Sequence, residues 1–321
     1  MSFSKETKNE LARMKPEKKC CMLAEIAAFI KTAGSISLAG GGKFVIRLNT
    51  KNHIIAKHFR SLLKSYFDID ATISMGEENS LKKGRYYTIN IGPEQLSEQI
   101  LRESGILMIR EGMNYITDGI YDGLIKTKCC RRAYLRGEFL GAGTMTDPKK
   151  AYDFEIILNS EVMAEETKRL ITSFKGLSAK IARRKKDYVV YVREAGHVLD
   201  ILAIMGAHSQ YFAYQNVRLM KEMRNEANRK ANCDQANIDK AIKASERHIE
   251  AIRKLELSDL PEKLRQVADA RLKHPEASLS ELGELLNPPL KKSGVNKRLL
   301  KIMQLAEMRS EEHTSELQSH Q

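Results

Sequence analysis

Cys129 to Met145 reads CCRRAYLRGEFLGAGTM, and a related stretch, CCMLAEIAAFIKTAGSI, has already run from Cys20 to Ile36. Laid one on the other, they match at Cys20/Cys129, Cys21/Cys130, Ala24/Ala133, Ala33/Ala142 and Gly34/Gly143. Each also carries small residues at every fourth position: Ala24, Ala28 and Thr32 in the first, Ala133, Gly137 and Gly141 in the second. On a helix such residues share one face, and a face without bulk lets another backbone come close. Glycine in a helix costs about 1 kcal/mol relative to alanine, so close packing of the two helices on each other is the expected compensation. The alternative is two unrelated amphipathic core helices.

The segments after each motif repeat as well. Residues 43–49, KFVIRLN, alternate apolar and polar as a half-buried strand should. Their counterpart is 152–159, where Phe44/Phe154, Ile46/Ile156, Leu48/Leu158 and Asn49/Asn159 match once one loop residue is gained. A helix comes next in each copy, with apolar positions Ile54, Ile55, Phe59, Leu62 and Leu63 in the first and Val162, Met163, Leu170, Ile171 and Phe174 in the second. Strands over 70–75 and 85–91, then 178–184 and 187–193, lead to closing helices over 93–104 and 194–205. The expected fold class is α+β: an αββαββα unit of about 90 residues, present twice, building a pseudo-twofold domain. The halves are 1–106 and 129–214, joined by a connector over 107–128. Four antiparallel strands per half, with helices on one face, would leave the other face as a saddle.

From residue 215 the character changes. A helical linker over 215–257 is rich in asparagine, with Asn225, Asn228 and Asn232 beside Arg218, Arg224 and Arg229. It reads either as a solvated connector or as a phosphate-contacting or interdomain surface. An all-α domain over 258–309 should hold three short helices: one opened by Pro261, one with a Ser278/Glu281 capping box, and one capped by Ser293. Between Leu290 and Met303 stand Lys291, Lys292, Lys297, Arg298 and Lys301 and no acid. That pattern fits a helix-turn-helix, whose second helix enters the major groove by its amino-terminal end. A solvated basic helix is the alternative. The expected DNA-binding residues are Lys291, Lys292, Ser293, Asn296, Lys297, Arg298 and Lys301. Residues 309–319 read RSEEHTSELQS, one frame of a common sequencing-adapter oligonucleotide, and 310–321 are expected to be an assembly artefact standing in place of the natural terminus.

Composition bounds the partners. The chain of 321 residues carries 54 Lys and Arg against 41 Asp and Glu, a formal charge of +13, which favours a polyanion such as nucleic acid. No run of even eight apolar residues occurs, and the first residues lack the apolar centre of a signal peptide, so no membrane segment and a cytoplasmic, nucleoid-associated protein are expected. Five cysteines fit a reducing compartment. Adjacent cysteines on a helix point ~100° apart, so they read as buried structural thiols, with no metal site and no cofactor expected.

The second motif resembles the LAGLIDADG motif of homing endonucleases, with Tyr134, Leu135, Gly137, Phe139, Gly141 and Gly143 in the YLxGxFxGxG positions. The order of motifs from Met1 to Met308, including RNEANRKANCDQAN and SGVNKRLLKI, is similar to the WhiA family of bacterial transcription regulators linked to cell division and sporulation. In LAGLIDADG nucleases the saddle lies along a DNA major groove, and an acid before the last motif glycine of each helix binds catalytic metal. Those positions are Ala33 and Ala142 here, and methyl groups ligate nothing. Glu25 and Glu138 lie nearby but at non-equivalent places. The resemblance therefore implies a non-catalytic regulator of cell division, chromosome segregation or sporulation that binds double-stranded DNA at promoters. Two alternatives stay open: a DNA-cleaving endonuclease, and a scaffold whose first domain binds a partner regulatory protein while only the last touches DNA.

Overall fold

The computed structural model describes residues 2–77 and 84–319, which fall into two units, Met1–Lys221 and Glu222–Gln321. The last tail residues, 320–321, lie outside the described residues. In the first unit, α1 (Phe3–Leu11) precedes two copies of one arrangement. The first copy runs α2 (Lys19–Ala33), β1 (Gly34–Leu38), β2 (Phe44–Thr50), α3 (His53–Phe67), β3 (Thr72–Glu77), β4 (Arg85–Ile91) and α4 (Ser97–Glu103). The connecting stretch forms a hairpin, β5 (Leu107–Arg110) and β6 (Met113–Ile116). The second copy runs α5 (Lys128–Ala142), β7 (Gly143–Met145), β8 (Phe154–Leu158), α6 (Glu161–Thr172), β9 (Lys180–Arg184), β10 (Asp187–Val192) and α7 (Ala195–Met205). The two four-stranded sheets have the same antiparallel order, β1-β2-β4-β3 and β7-β8-β10-β9, as the expected duplication requires.

Periodicity places the core. Phe44, Ile46 and Leu48 of β2 and Phe154, Ile156 and Leu158 of β8 are buried, while Arg47 and Asn49 of β2 are exposed. The helices start where short polar side chains satisfy open amides: Asn52 accepts from Ile54, Thr127 from Cys130 and Ser160 from Met163.

At the centre α2 and α5 pack side by side, parallel. Gly137 faces its counterpart Ala28 and Gly141 faces its counterpart Thr32, as twofold symmetry demands. A Cβ on Gly137 would stand 2.5 Å from the Glu25 carbonyl oxygen and 2.8 Å from the Ala28 Cβ, and one on Gly141 would collide with Thr32. Only glycine permits this approach. The pairing also brings the amino ends of the two helices together, and Cys20, Cys21, Cys129 and Cys130 hold four sulfur atoms within 4.8 Å of one another. This corrects the expectation drawn from spacing. Adjacent cysteines diverge on one helix, but two doublets on neighbouring helices converge.

The halves differ inside. Phe29 of α2 stacks on Phe59 of α3, with ring centroids 3.7 Å apart. The equivalent positions in the second half are Glu138 and Thr167, joined by a 2.7 Å hydrogen bond.

The helix α8 (His208–Arg253) begins in the first unit and ends in the second, where α9 (Glu262–Lys273), α10 (Leu279–Glu284) and α11 (Lys292–Ser319) come after it. Residues 222–244 of α8 are exposed throughout, the three asparagines included. Val267, Leu282, Leu286, Val295, Leu299 and Ile302 form the second core. The Ser278/Glu281 capping box forms as expected. Two details lie beyond the sequence pattern. Arg271 is buried and holds the turn after α9 together, donating to the carbonyls of Pro275 (3.2 Å) and Ala277 (2.7 Å). Gly283 lets the Leu290 backbone approach, and the Leu290 amide donates to the Gly283 carbonyl at 2.9 Å; a Cβ on Gly283 would strike the Leu290 carbonyl oxygen. The third helix is long rather than short, running on through Ser319. No helix is long and apolar enough to cross a membrane among the described residues.

Candidate nucleic-acid interface

Two basic places among the described residues bear on DNA binding. The first is the carboxyl end of the paired motif helices, where Ala33 and Ala142 occupy the positions of the nuclease acids, both half-buried. A cleft of about 910 Å³ opens beside Leu140, Gly141 and Gly143; among the described residues its lining includes Lys5, Lys8 and Lys51 and no carboxylate. Lys8 Nζ donates to the Leu140 carbonyl at 3.2 Å, where a cation suits the carboxyl end of a helix, and burial pushes its amine down to about 8. On the other motif helix Lys31 Nζ donates to the Thr117 carbonyl and, at 3.1 Å, to its hydroxyl. Burial lowers the Lys31 amine to about 8, with Asp118 and Glu166 opposing the shift. Amines therefore stand near where a nuclease gathers its carboxylates.

The two nearby acids do not supply the missing ligands. Glu25 is fully buried and takes His58 Nε2 at 2.7 Å on one oxygen and Arg136 Nε and Nη2 at 3.0 and 2.5 Å on the other. Burial alone would raise its carboxyl; the Arg136 guanidinium and His58 outweigh that and hold it below the usual range. Glu138 is equally buried, and burial, reinforced by Glu166 and opposed by the Thr167 hydrogen bond, raises it to about 8. It is a neutral acid at neutral pH, and a protonated carboxyl is a poor ligand for a hard divalent cation. The donor set of this cleft does not fit a nuclease metal.

The outer faces of the sheets are polar in different ways. Across the first sheet Ser35, Arg47, Asn90 and Thr72 stand in register, with Asn49, Thr88 and Ser74 in a second row. Thr88 donates to Asn49 at 2.8 Å. On the second sheet Glu155 accepts from both terminal nitrogens of Arg184, at 3.1 and 2.6 Å, which cancels the guanidinium charge.

The second basic place is the start of α11. Lys291, Lys292, Ser293, Asn296, Lys297 and Lys301 are all exposed, and among the described residues none makes a side-chain hydrogen bond or ion pair. The Lys291 carbonyl accepts from the Gly294 and Val295 amides, so the helix begins at Lys292. Ser293 therefore lies inside the first turn and is not the cap expected from sequence. Arg298 departs as well: it is half-buried, and Nη1 donates to the Lys263 carbonyl at 3.1 Å, fastening α11 to α9. Val295, Leu299 and Ile302 anchor the opposite face of the helix. The basic face is thus rigidly held yet unpartnered.

The family model described as the WhiA N-terminal LAGLIDADG-like domain matches residues 19–107, the WhiA LAGLIDADG-like domain matches 131–224, and the WhiA C-terminal HTH domain matches 227–306. A relative from Alkaliphilus metalliredigens (strain QYMF), named "Probable cell division protein WhiA", is 42% identical over 311 residues, covering 96% of this chain and 98% of its own. One of the same name from Heliobacterium modesticaldum is 40% identical over 96% of each chain. The crystal structure of full-length DUF199/WhiA from Thermatoga maritima superposes with a TM-score of 0.58 at 25% identity, covering 96% of this chain and 99% of the other. Three matching domains in the family's order, and relatives at this identity over nearly the whole length, show that the chain belongs to the WhiA family.

Proposed function

We propose that this protein is a non-catalytic transcription regulator that binds double-stranded promoter DNA through α11. It acts in cell division, as the names of its relatives suggest, and in linked processes such as chromosome segregation or sporulation. The observation that carries the reading is the amino-terminal face of α11, where Lys291, Lys292, Asn296, Lys297 and Lys301 are exposed and without protein partners among the described residues. Asparagine near the first turn of a recognition helix can pair with adenine through two hydrogen bonds. Lysines at the flanks suit phosphates, which position the protein and contribute affinity without regard to sequence. Ser293 is a further candidate contact in that first turn. Arg298 contributes by holding the helix in place.

On this reading the chain works as first half (1–106), connector (107–128), second half (129–214), linker (215–257) and reader (258–309), and residues 310–321 have no role. The protein sits in the cytoplasm on the nucleoid. Loss of catalysis is supported by the alanines at 33 and 142 and by the lysine-lined cleft beside them, which has no carboxylate among the described residues. That cleft also supports a second reading, in which the LAGLIDADG-like unit contacts the DNA backbone or a partner regulatory protein. A direct test selects bound sequences from random DNA and incubates the complex with Mg²⁺ or Mn²⁺. Intact DNA is expected; fragments that vanish with Glu138→Ala would refute the non-catalytic assignment. DNA affinity of a Lys5→Ala/Lys51→Ala variant of the full chain then tells whether the cleft contributes.

A further inference from the structure

The cysteines at the amino ends of the motif helices are not among the residues proposed above to contact DNA. Their four sulfur atoms lie within 4.8 Å of one another, two from each helix. A tetrahedral zinc with ~2.3 Å bonds separates its sulfurs by about 3.8 Å, so modest side-chain rotation closes the difference. A four-iron cluster holds its ligand sulfurs farther apart than this set allows. Cys21 and Cys130 are buried while Cys20 is exposed and Cys129 half-exposed, which leaves a path for an ion from solvent.

The electrostatic setting points the same way by an independent route. Both helices are 15 residues long, run parallel and bring their positive ends together, and neither carries an acid in its first turn. Segments 17–21 and 126–132 add Lys18, Lys19, Lys126, Lys128, Arg131 and Arg132 against one carboxylate, Glu17. Two helix amino ends and six cations in these short segments favour a compensating negative charge. Thiolates supply it. Thr127 stands 3.2 Å from the Cys129 sulfur and also accepts from the Cys130 amide, an outer contact of the kind that fixes ligand orientation.

We propose that Cys20, Cys21, Cys129 and Cys130 form a tetrathiolate site for one zinc ion, which clamps the amino ends of the two motif helices across the pseudo-twofold axis. On binding, the four thiols release four protons to water and the Zn²⁺ complex carries a net charge of −2, with no redox step. Soft thiolates select zinc over the hard cations a nuclease would use. The site lies at the opposite end of the helix pair from Ala33 and Ala142, so it is structural and separate from the lost nuclease centre.

The test uses the full-length protein purified under reducing conditions without chelator. Elemental analysis should find one zinc per chain. Exchange with Co²⁺ should give intense thiolate-to-metal charge-transfer bands and a tetrahedral d–d spectrum. A Cys20→Ser/Cys129→Ser variant should lose the metal, Cys233→Ser should keep it, and chelation should lower the thermal midpoint of the wild type. The wild-type cobalt spectrum requires no variant to fold. Reduced, zinc-exposed wild type that retains no metal after desalting would overturn the proposal. So would a cobalt spectrum without thiolate bands, or a metal-free chain with Cys20–Cys130 or Cys21–Cys129 disulfides.

Discussion

The interior of the α2/α5 pair and the face of α11 both hold charged groups, and they use them in opposite ways. Glu25 of α2, Arg136 of α5 and His58 of α3 are buried and pair with one another, and Arg136 also donates to the Met205 carbonyl at 3.2 Å. On α11 the lysines and Asn296 point to solvent and have no partner among the described residues. A charge inside this protein is therefore a folding element, whereas a charge on α11 is available to a ligand. The net charge of +13 does not distinguish these roles; burial and partnership do.

The largest effect should come from breaking the interior. Arg136→Ala leaves Glu25 as an incompletely paired buried charge and should cost about 3 to 5 kcal/mol, read as a lower denaturation midpoint. Because the Glu25 carboxyl is held below its usual value, its contribution is present above the unfolded carboxylate pKa of ~4.3 and lost as pH falls through the lower folded value. Wild type and Arg136→Ala should thus converge in stability in acid. If the variant unfolds like wild type at neutral pH, the buried network is not the folding element described.

Glu138 sharpens the comparison from the other side. Its carboxyl is raised to about 8, so its favourable contribution is complete below about 4.5 and is lost as pH rises through about 8. Glu138→Gln keeps the shape and removes the ionisation. Its stability relative to wild type should rise across that window by on the order of a few kcal/mol. Parallel stability–pH curves would show that Glu138 does not titrate as its burial implies.

Much of this was legible in sequence because it rests on periodicity and volume. The duplicated motif, the alternation in β2 and β8 and the small-residue stripe required only spacing. Contacts set by how two helices register were not legible: Arg136 reaches Glu25 across the halves, and the cysteine doublets meet only once α2 and α5 are parallel neighbours. The same holds on α11. Its basic face could be read from composition, but the start at Lys292 and the Arg298 contact with Lys263 depend on the turn after α10, which Gly283 permits.

Smaller effects belong to the exposed face. Lys292→Ala should weaken cognate and random DNA binding alike and lower the slope of log affinity against log salt by about one. A change confined to the cognate site would make Lys292 a base contact instead. Removing residues 310–321 should change neither DNA affinity nor thermal stability. It leaves Arg309 and its exposed 3.7 Å pair with Asp259, and such pairs contribute ~0 to 1 kcal/mol in any case. A clear loss of either would give the tail a role.

The central claim is that α11 reads sequence. Its most direct test is competition binding of wild type and Asn296→Ala to a selected cognate site and to random DNA at several salt concentrations. A cost of about 1 to 3 kcal/mol on the cognate site with little change on random DNA is the predicted result. Equal weakening on both would contradict the assignment of this helix as the reader.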